Sequence, residues 1–110
     1  MAQATGRLGS VDELRKRFPE VADGFQSGLR KAVESGGPLD AKTRELILLA
    51  GYITARQAEG FKTHAGRALA NGATPEELRH ACVLPLGATT ALEPVVDALI
   101  WADEVIAARK

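Results

Sequence analysis

The stretch Asp40-Ala41-Lys42-Thr43-Arg44-Glu45-Leu46-Ile47-Leu48-Leu49-Ala50-Gly51-Tyr52-Ile53 decides the fold. Asp40 is a candidate N-cap, since a short carboxylate can accept from an otherwise unpaired N–H of the first turn. Leu46, Ile47, Leu48, Leu49, Ala50 and Ile53 then follow. The predicted helix, roughly 41–56, is apolar on nearly every side and must be covered on nearly every side. A 110-residue chain has difficulty doing that alone, which points to an oligomer.

Towards the C-terminus, Gly60 marks a plausible break, and a fourth helix is expected over about 60–71. Its side chains are small (Ala65, Gly66, Ala68, Ala70), and Asn71-Gly72 provides a stop. Thr74-Pro75-Glu76-Glu77 combines an N-cap threonine, a proline at the first helical position and a capping-box glutamate. A fifth helix follows through Leu78, Ala81, Cys82 and Leu84, shortened by Pro85, and Gly87 to Thr90 reads as a turn. Glu93-Pro94 starts the last helix, with Val95, Leu99, Ala102 and Ile106 as its core stripe. On that register Trp101 falls opposite the core, and the expectation is a subunit interface. Towards the N-terminus, Gly36-Gly37-Pro38 closes a helix that Pro19 opens, with Val21, Phe25, Leu29 and Val33 in an i, i+4 ladder. Before it, Ser10-Val11-Asp12-Glu13 reads as a capping box for a short first helix.

These elements predict one all-α domain over 1–110, a bundle of five or six helices. Fourteen basic and fourteen acidic residues cancel, which gives no electrostatic reason to expect nucleic acid or an anionic membrane as partner. No apolar run opens the chain as a signal peptide would, and the greasy stretch at 46–53 is too short to span a bilayer. One cysteine, Cys82, cannot form an intramolecular disulfide and fits a reducing, cytoplasmic compartment. There is no CxxC, no metal-ligand cluster at zinc spacing and no phosphate-binding glycine loop.

Two ionisable residues stand out by position. Glu45 lies early in the greasy helix, where its neighbours partly desolvate it, and His64 lies near the start of the next helix. A carboxylate and an imidazole brought together are how proteins build a general acid and base. The plainer alternatives are that Glu45 pairs with Lys42 or favours the helix dipole, and that His64 is an ordinary histidine on a polar strip with Gln57, Gly60, Arg67 and Asn71. Cys82, within Ala81-Cys82-Val83-Leu84, reads as core packing, and His80, two residues away, does not face it and reads as surface.

The run Leu39-Asp40-Ala41-Lys42-Thr43-Arg44-Glu45-Leu46-Ile47, then His64 with Ala68, then Asn71-Gly72-Ala73-Thr74-Pro75-Glu76-Glu77-Leu78, resembles the carboxymuconolactone decarboxylase family, which includes alkylhydroperoxidase-D-like proteins. The resemblance is continuous over about 39–78. It implies the all-α fold and a homo-oligomer, a trimer or hexamer. In the peroxidase branch a CxxC pair precedes the shared histidine, and an upstream glutamate feeds a proton relay. Carried over by position, Glu45 and His64 are the relay residues, while the cysteines fall at Gln57 and Gly60, which have no redox chemistry. The decarboxylase branch does without cysteines and handles a small acidic lactone by proton transfer. The resemblance therefore implies acid–base chemistry by Glu45 and His64 on a small-molecule substrate, with Arg67 or Arg56 holding a carboxylate and Arg44 less favoured. It implies no metal and no organic cofactor. A non-catalytic binding or scaffold oligomer is the alternative, and peroxidase activity is disfavoured by the missing cysteine pair.

Overall fold

Helix ends in this chain are set by caps and glycines, and most fall where the sequence places them. The computed structural model describes residues 9–109, and among these the regular structure is entirely helical. Helix α1 is Ser10–Arg17. Helix α2 runs without interruption through Pro19–Asp23, a π-wound stretch Gly24–Arg30, and Lys31–Ser35. Then come α3 (Ala41–Thr54), α4 (Ala58–Ala70), α5 (Pro75–Val83) and α6 (Leu92–Ala108). Ser10 is the first helical residue rather than the cap; Gly9 takes the cap position. The chain falls into two compact units, Met1–Pro38 and Leu39–Lys110.

In the first unit Pro19 opens α2, as its fixed φ and missing N–H favour. Gly24 and Gly28, poor helix formers, lie in the π-wound part. Among its described residues only Ala22 is buried, and the ladder Val21, Phe25, Leu29 and Val33 is exposed.

The second unit holds the core. Leu49 and Ile53 of α3, Phe61, Ala65 and Leu69 of α4, Leu78 and Cys82 of α5, and Val95, Ala98, Ala102 and Ile106 of α6 form one cluster. Asp40 caps α3 by accepting from the Thr43 N–H at 2.8 Å. That bond holds the Asp40 carboxyl below its ordinary range. Thr74 and Glu77 form the expected reciprocal capping box on α5. Glu77 also takes an ion pair from Lys42 at 3.2 Å, which ties the start of α3 to the start of α5.

The link between α3 and α4 differs from the sequence reading. Gly60 is no break; it lies inside the first turn of α4. The chain turns instead at Arg56, whose φ of 58° is the left-handed conformation that closes a helix. The Gln57 N–H donates to the Tyr52 carbonyl at 2.9 Å and the Arg56 N–H to Ile53 at 3.1 Å, the double closure of a Schellman motif. Gly72, at φ 101°, closes α4 in the same way through Leu69 and Ala68. Arg56 is held in its unfavoured conformation with ion pairs to Glu93 and Asp97 of α6, at 3.8 and 3.5 Å.

The placement of Trp101 opposite the core is a second correction. Trp101 is half-buried and packs on Phe61 with ring centroids 5.6 Å apart. Burial of Pro94 and Ala98 shifts the centre of the buried face of α6 towards Trp101, so the ring lies on the flank. The outward apolar stripe is Leu92, Val96 and Ile100, all exposed.

Candidate active site on the α3–α4 hairpin

Glu45 lies in the second turn of α3 on the face that also carries Leu49 and Ile53 into the core. His64 lies on the buried face of α4 with Phe61, Ala65 and Ala68. The three-residue link between Thr54 and Ala58 folds the two helices back on each other, so residues 19 apart in sequence meet. His64 Nδ1 and Glu45 Oε1 are 2.5 Å apart, and the two residues are 6% and 5% exposed. At that burial neither group has water to fall back on, and each is the other's partner. With Glu45 ionised, His64 donates its Nδ1–H to the carboxylate and Nε2 is left as the nitrogen that can gain or lose a proton. Above this pair lies the Tyr52 ring, stacked on the imidazole at 5.1 Å and 18°.

The arginines expected to hold a substrate are exposed, unlike the buried pair. Arg67 is exposed on α4, one turn beyond His64. Arg56 is at the end of α3, exposed, and engaged by Glu93 and Asp97. Arg44 donates to the Leu39 carbonyl at 2.9 Å, and its buried Nε has no partner. His80 is exposed, as expected for a surface residue.

An apolar groove of about 570 Å³ opens elsewhere on the unit, lined by Ile47 and Ala50 of α3, His80 and Ala81 of α5, and Leu84 and Pro85 beyond it. Neither Glu45 nor His64 contributes to its lining. Helix α3 thus carries Glu45 on one side and part of the groove wall on another.

Among known families, the carboxymuconolactone decarboxylase model matches residues 19–104, which include both members of the pair. The chain belongs to the carboxymuconolactone decarboxylase family. A protein of Haemophilus influenzae, described only as uncharacterized, is 42% identical over 59 residues, which is 54% of this chain and 51% of that protein. The chain therefore matches about half the length of that curated relative. No solved structure matches the chain.

The two positions that the resemblance assigns to a cysteine pair in this carboxymuconolactone decarboxylase family member carry no thiol. Gln57 is exposed in the cap of α4, and Gly60 is covered by Tyr52. The single thiol, Cys82, is fully buried and lies 3.9 Å from the Ala98 carbonyl. Burial, and secondarily the charge of Asp103, pushes it up to about 12 from an ordinary 9.0. A thiol held neutral is neither a nucleophile nor a redox group at neutral pH. Ellman's reagent is expected to leave Cys82 unmodified in the native protein and to titrate one thiol in denaturant; rapid native reaction would reverse this reading. Above pH 9 the unfolded thiol ionises while the folded one does not. Stability present below pH 9 is therefore lost as pH rises towards 12, by at most about 1.4 kcal/mol per pH unit. Cys82→Ala should flatten that alkaline slope.

Sequence reasoning did not single out Tyr52. Its signal was there: seven residues beyond Glu45 it falls within about 20° of the same helical face, opposite a glycine on the following helix.

Proposed function

We propose that the protein is an acid–base enzyme that works without a cysteine pair on a small acidic or carbonyl-containing molecule, in the manner of a decarboxylase or a lactone-converting enzyme. The observation that carries this reading is the buried hydrogen bond between Glu45 and His64. The carboxylate accepts from the imidazole Nδ1–H and stabilises the imidazolium when it forms. Nε2 then exchanges a proton with the substrate. In a decarboxylation the carbon–carboxylate bond breaks, carbon dioxide leaves, and the bonding electrons pass into the adjacent carbonyl as an enolate. The imidazolium, protonated beforehand from solvent, delivers its Nε2 proton to the carbon that lost the carboxylate and is left neutral. Arg67, one turn from His64, and Arg56 are the proposed anchors for a substrate carboxylate. The reading calls on no metal or organic cofactor.

The test is turnover of a panel of small carboxylated lactones and β-keto acids. A substrate that is converted should lose at least about 100-fold in kcat with His64→Gln, within the range typical of general acid–base groups. Full activity in that variant would end the proposal.

A non-catalytic oligomer is the second reading, favoured by the fact that Glu45 and His64 already satisfy each other. In either reading we propose a cytoplasmic homo-oligomer, a trimer or hexamer, supported by the exposed stripe Leu92, Val96 and Ile100 and by exposed Ile47. Sedimentation at micromolar concentration should give three or six times the chain mass of 11.7 kDa; a monomer would refute it.

A further inference from the structure

Tyr52 makes two contacts that together describe a device. Its ring stacks on the His64 imidazole, centroids 5.1 Å apart and planes 18° apart. The same ring covers Gly60: a Cβ added there would lie 3.0 Å from Tyr52 Cζ and closer still to Cδ1 and Cε1. Gly60 and His64 are four residues apart on α4 and therefore neighbours on one face. Tyr52 and Glu45 share a face of α3, two turns apart. One ring from α3 thus covers a glycine and an imidazole on α4, while the carboxylate from the same α3 face holds Nδ1. A single hydrogen bond leaves an imidazole free to tilt about it or to flip, and an aromatic ring packed on its face removes that freedom.

We propose that Tyr52 is a positioning residue: its ring, admitted by the missing side chain at Gly60, fixes the plane of His64 so that Nδ1 stays on Glu45 and Nε2 stays available. This deepens the acid–base reading and rests on it for its consequence, though not for its test. The contacts are made by the ring, so phenylalanine should serve in its place.

The chain has two histidines, so His80→Gln leaves a single imidazole to observe. Long-range proton–nitrogen NMR in that background distinguishes the two tautomers of His64. The starting protein and Tyr52→Phe should show one tautomer, protonated at Nδ1 when neutral. Tyr52→Leu should lose that single-tautomer signature, and its Nδ1 proton should exchange faster with water. Gly60→Ala, which displaces the ring without changing Tyr52, should reproduce the loss. Retention of one tautomer and slow exchange in Tyr52→Leu and Gly60→Ala would overturn the proposal and leave the ring as filler. Should Tyr52→Leu fail to fold, Gly60→Ala decides the question by itself, in either direction. Failure of every substrate in the turnover panel would remove the enzymatic reading without altering these spectra, so the two failures are separable.

Discussion

Gly60→Ala is expected to destabilise the protein, although the same change elsewhere in α4 is expected to stabilise it. Alanine is favoured over glycine inside a helix by about 1 kcal/mol. Gly66 lies in the same helix, and a Cβ added there would meet nothing within 4 Å, so Gly66→Ala should gain most of that amount. At Gly60 the added methyl meets the Tyr52 ring, and overpacking of this kind costs about 1–3 kcal/mol. The propensity gain is the smaller quantity, so the net sign reverses. Urea unfolding of the two variants side by side measures the contrast directly. If both shift the midpoint upwards, the ring yields without cost and the close approach of Tyr52 to Gly60 has no energetic weight. The result also bears on any attempt to introduce a cysteine pair at Gln57 and Gly60. A side chain at 60 has no room until Tyr52 is made smaller, so Tyr52→Ala would have to accompany the two cysteines.

A large loss of stability is expected from Glu45→Ala. Removing the carboxylate strands the His64 Nδ1 at 6% residue exposure, and an unmet buried donor costs about 1–3 kcal/mol. The vacated volume beside the core adds to this. Histidine can remain neutral, which spares the larger penalty of an unpaired buried charge, so a total of about 3 kcal/mol is expected. Glu45→Gln keeps the volume and one hydrogen bond and should cost about 1 kcal/mol. An unfolding midpoint for Glu45→Ala indistinguishable from that of the starting protein would mean that the pair contributes nothing to the fold. The contrast between the two variants also separates structure from chemistry. Under the enzymatic reading Glu45→Gln, nearly as stable as the starting protein, should still be impaired in turnover because an amide cannot stabilise an imidazolium.

Local signals in the sequence were legible where a side chain caps its own backbone. Asp40, Thr74 with Glu77, and Gly72 all act as their types and positions imply, because those interactions span only a few residues. Glu45 and His64 were legible as candidates from their place in the motif, and their meeting follows from two helices joined by a short link. What was not legible depended on tertiary contacts. The end of α3 is set by Arg56, a residue type that does not announce a left-handed turn, held by carboxylates about 40 residues away on α6. Gly60 reads as a helix breaker in isolation, but its meaning is the ring that lies against it. On α6 the stripe Val95, Ala102 and Ile106 is buried as read, and only Trp101 was misplaced, because burial of Pro94 and Ala98 widens that face towards it. The short capping box expected at Ser10 gave way to Gly9 one residue earlier.

The position of Trp101 gives the molecule an internal reporter. It is the chain's only tryptophan, and its ring rests on Phe61 within the core of the Leu39–Lys110 unit. Its emission therefore follows the melting of that unit, whereas far-ultraviolet circular dichroism sums the helices of both. Recorded together, the two signals ask whether the unit of exposed Val21, Phe25, Leu29 and Val33 is lost in the same transition as the core or in an earlier one of its own.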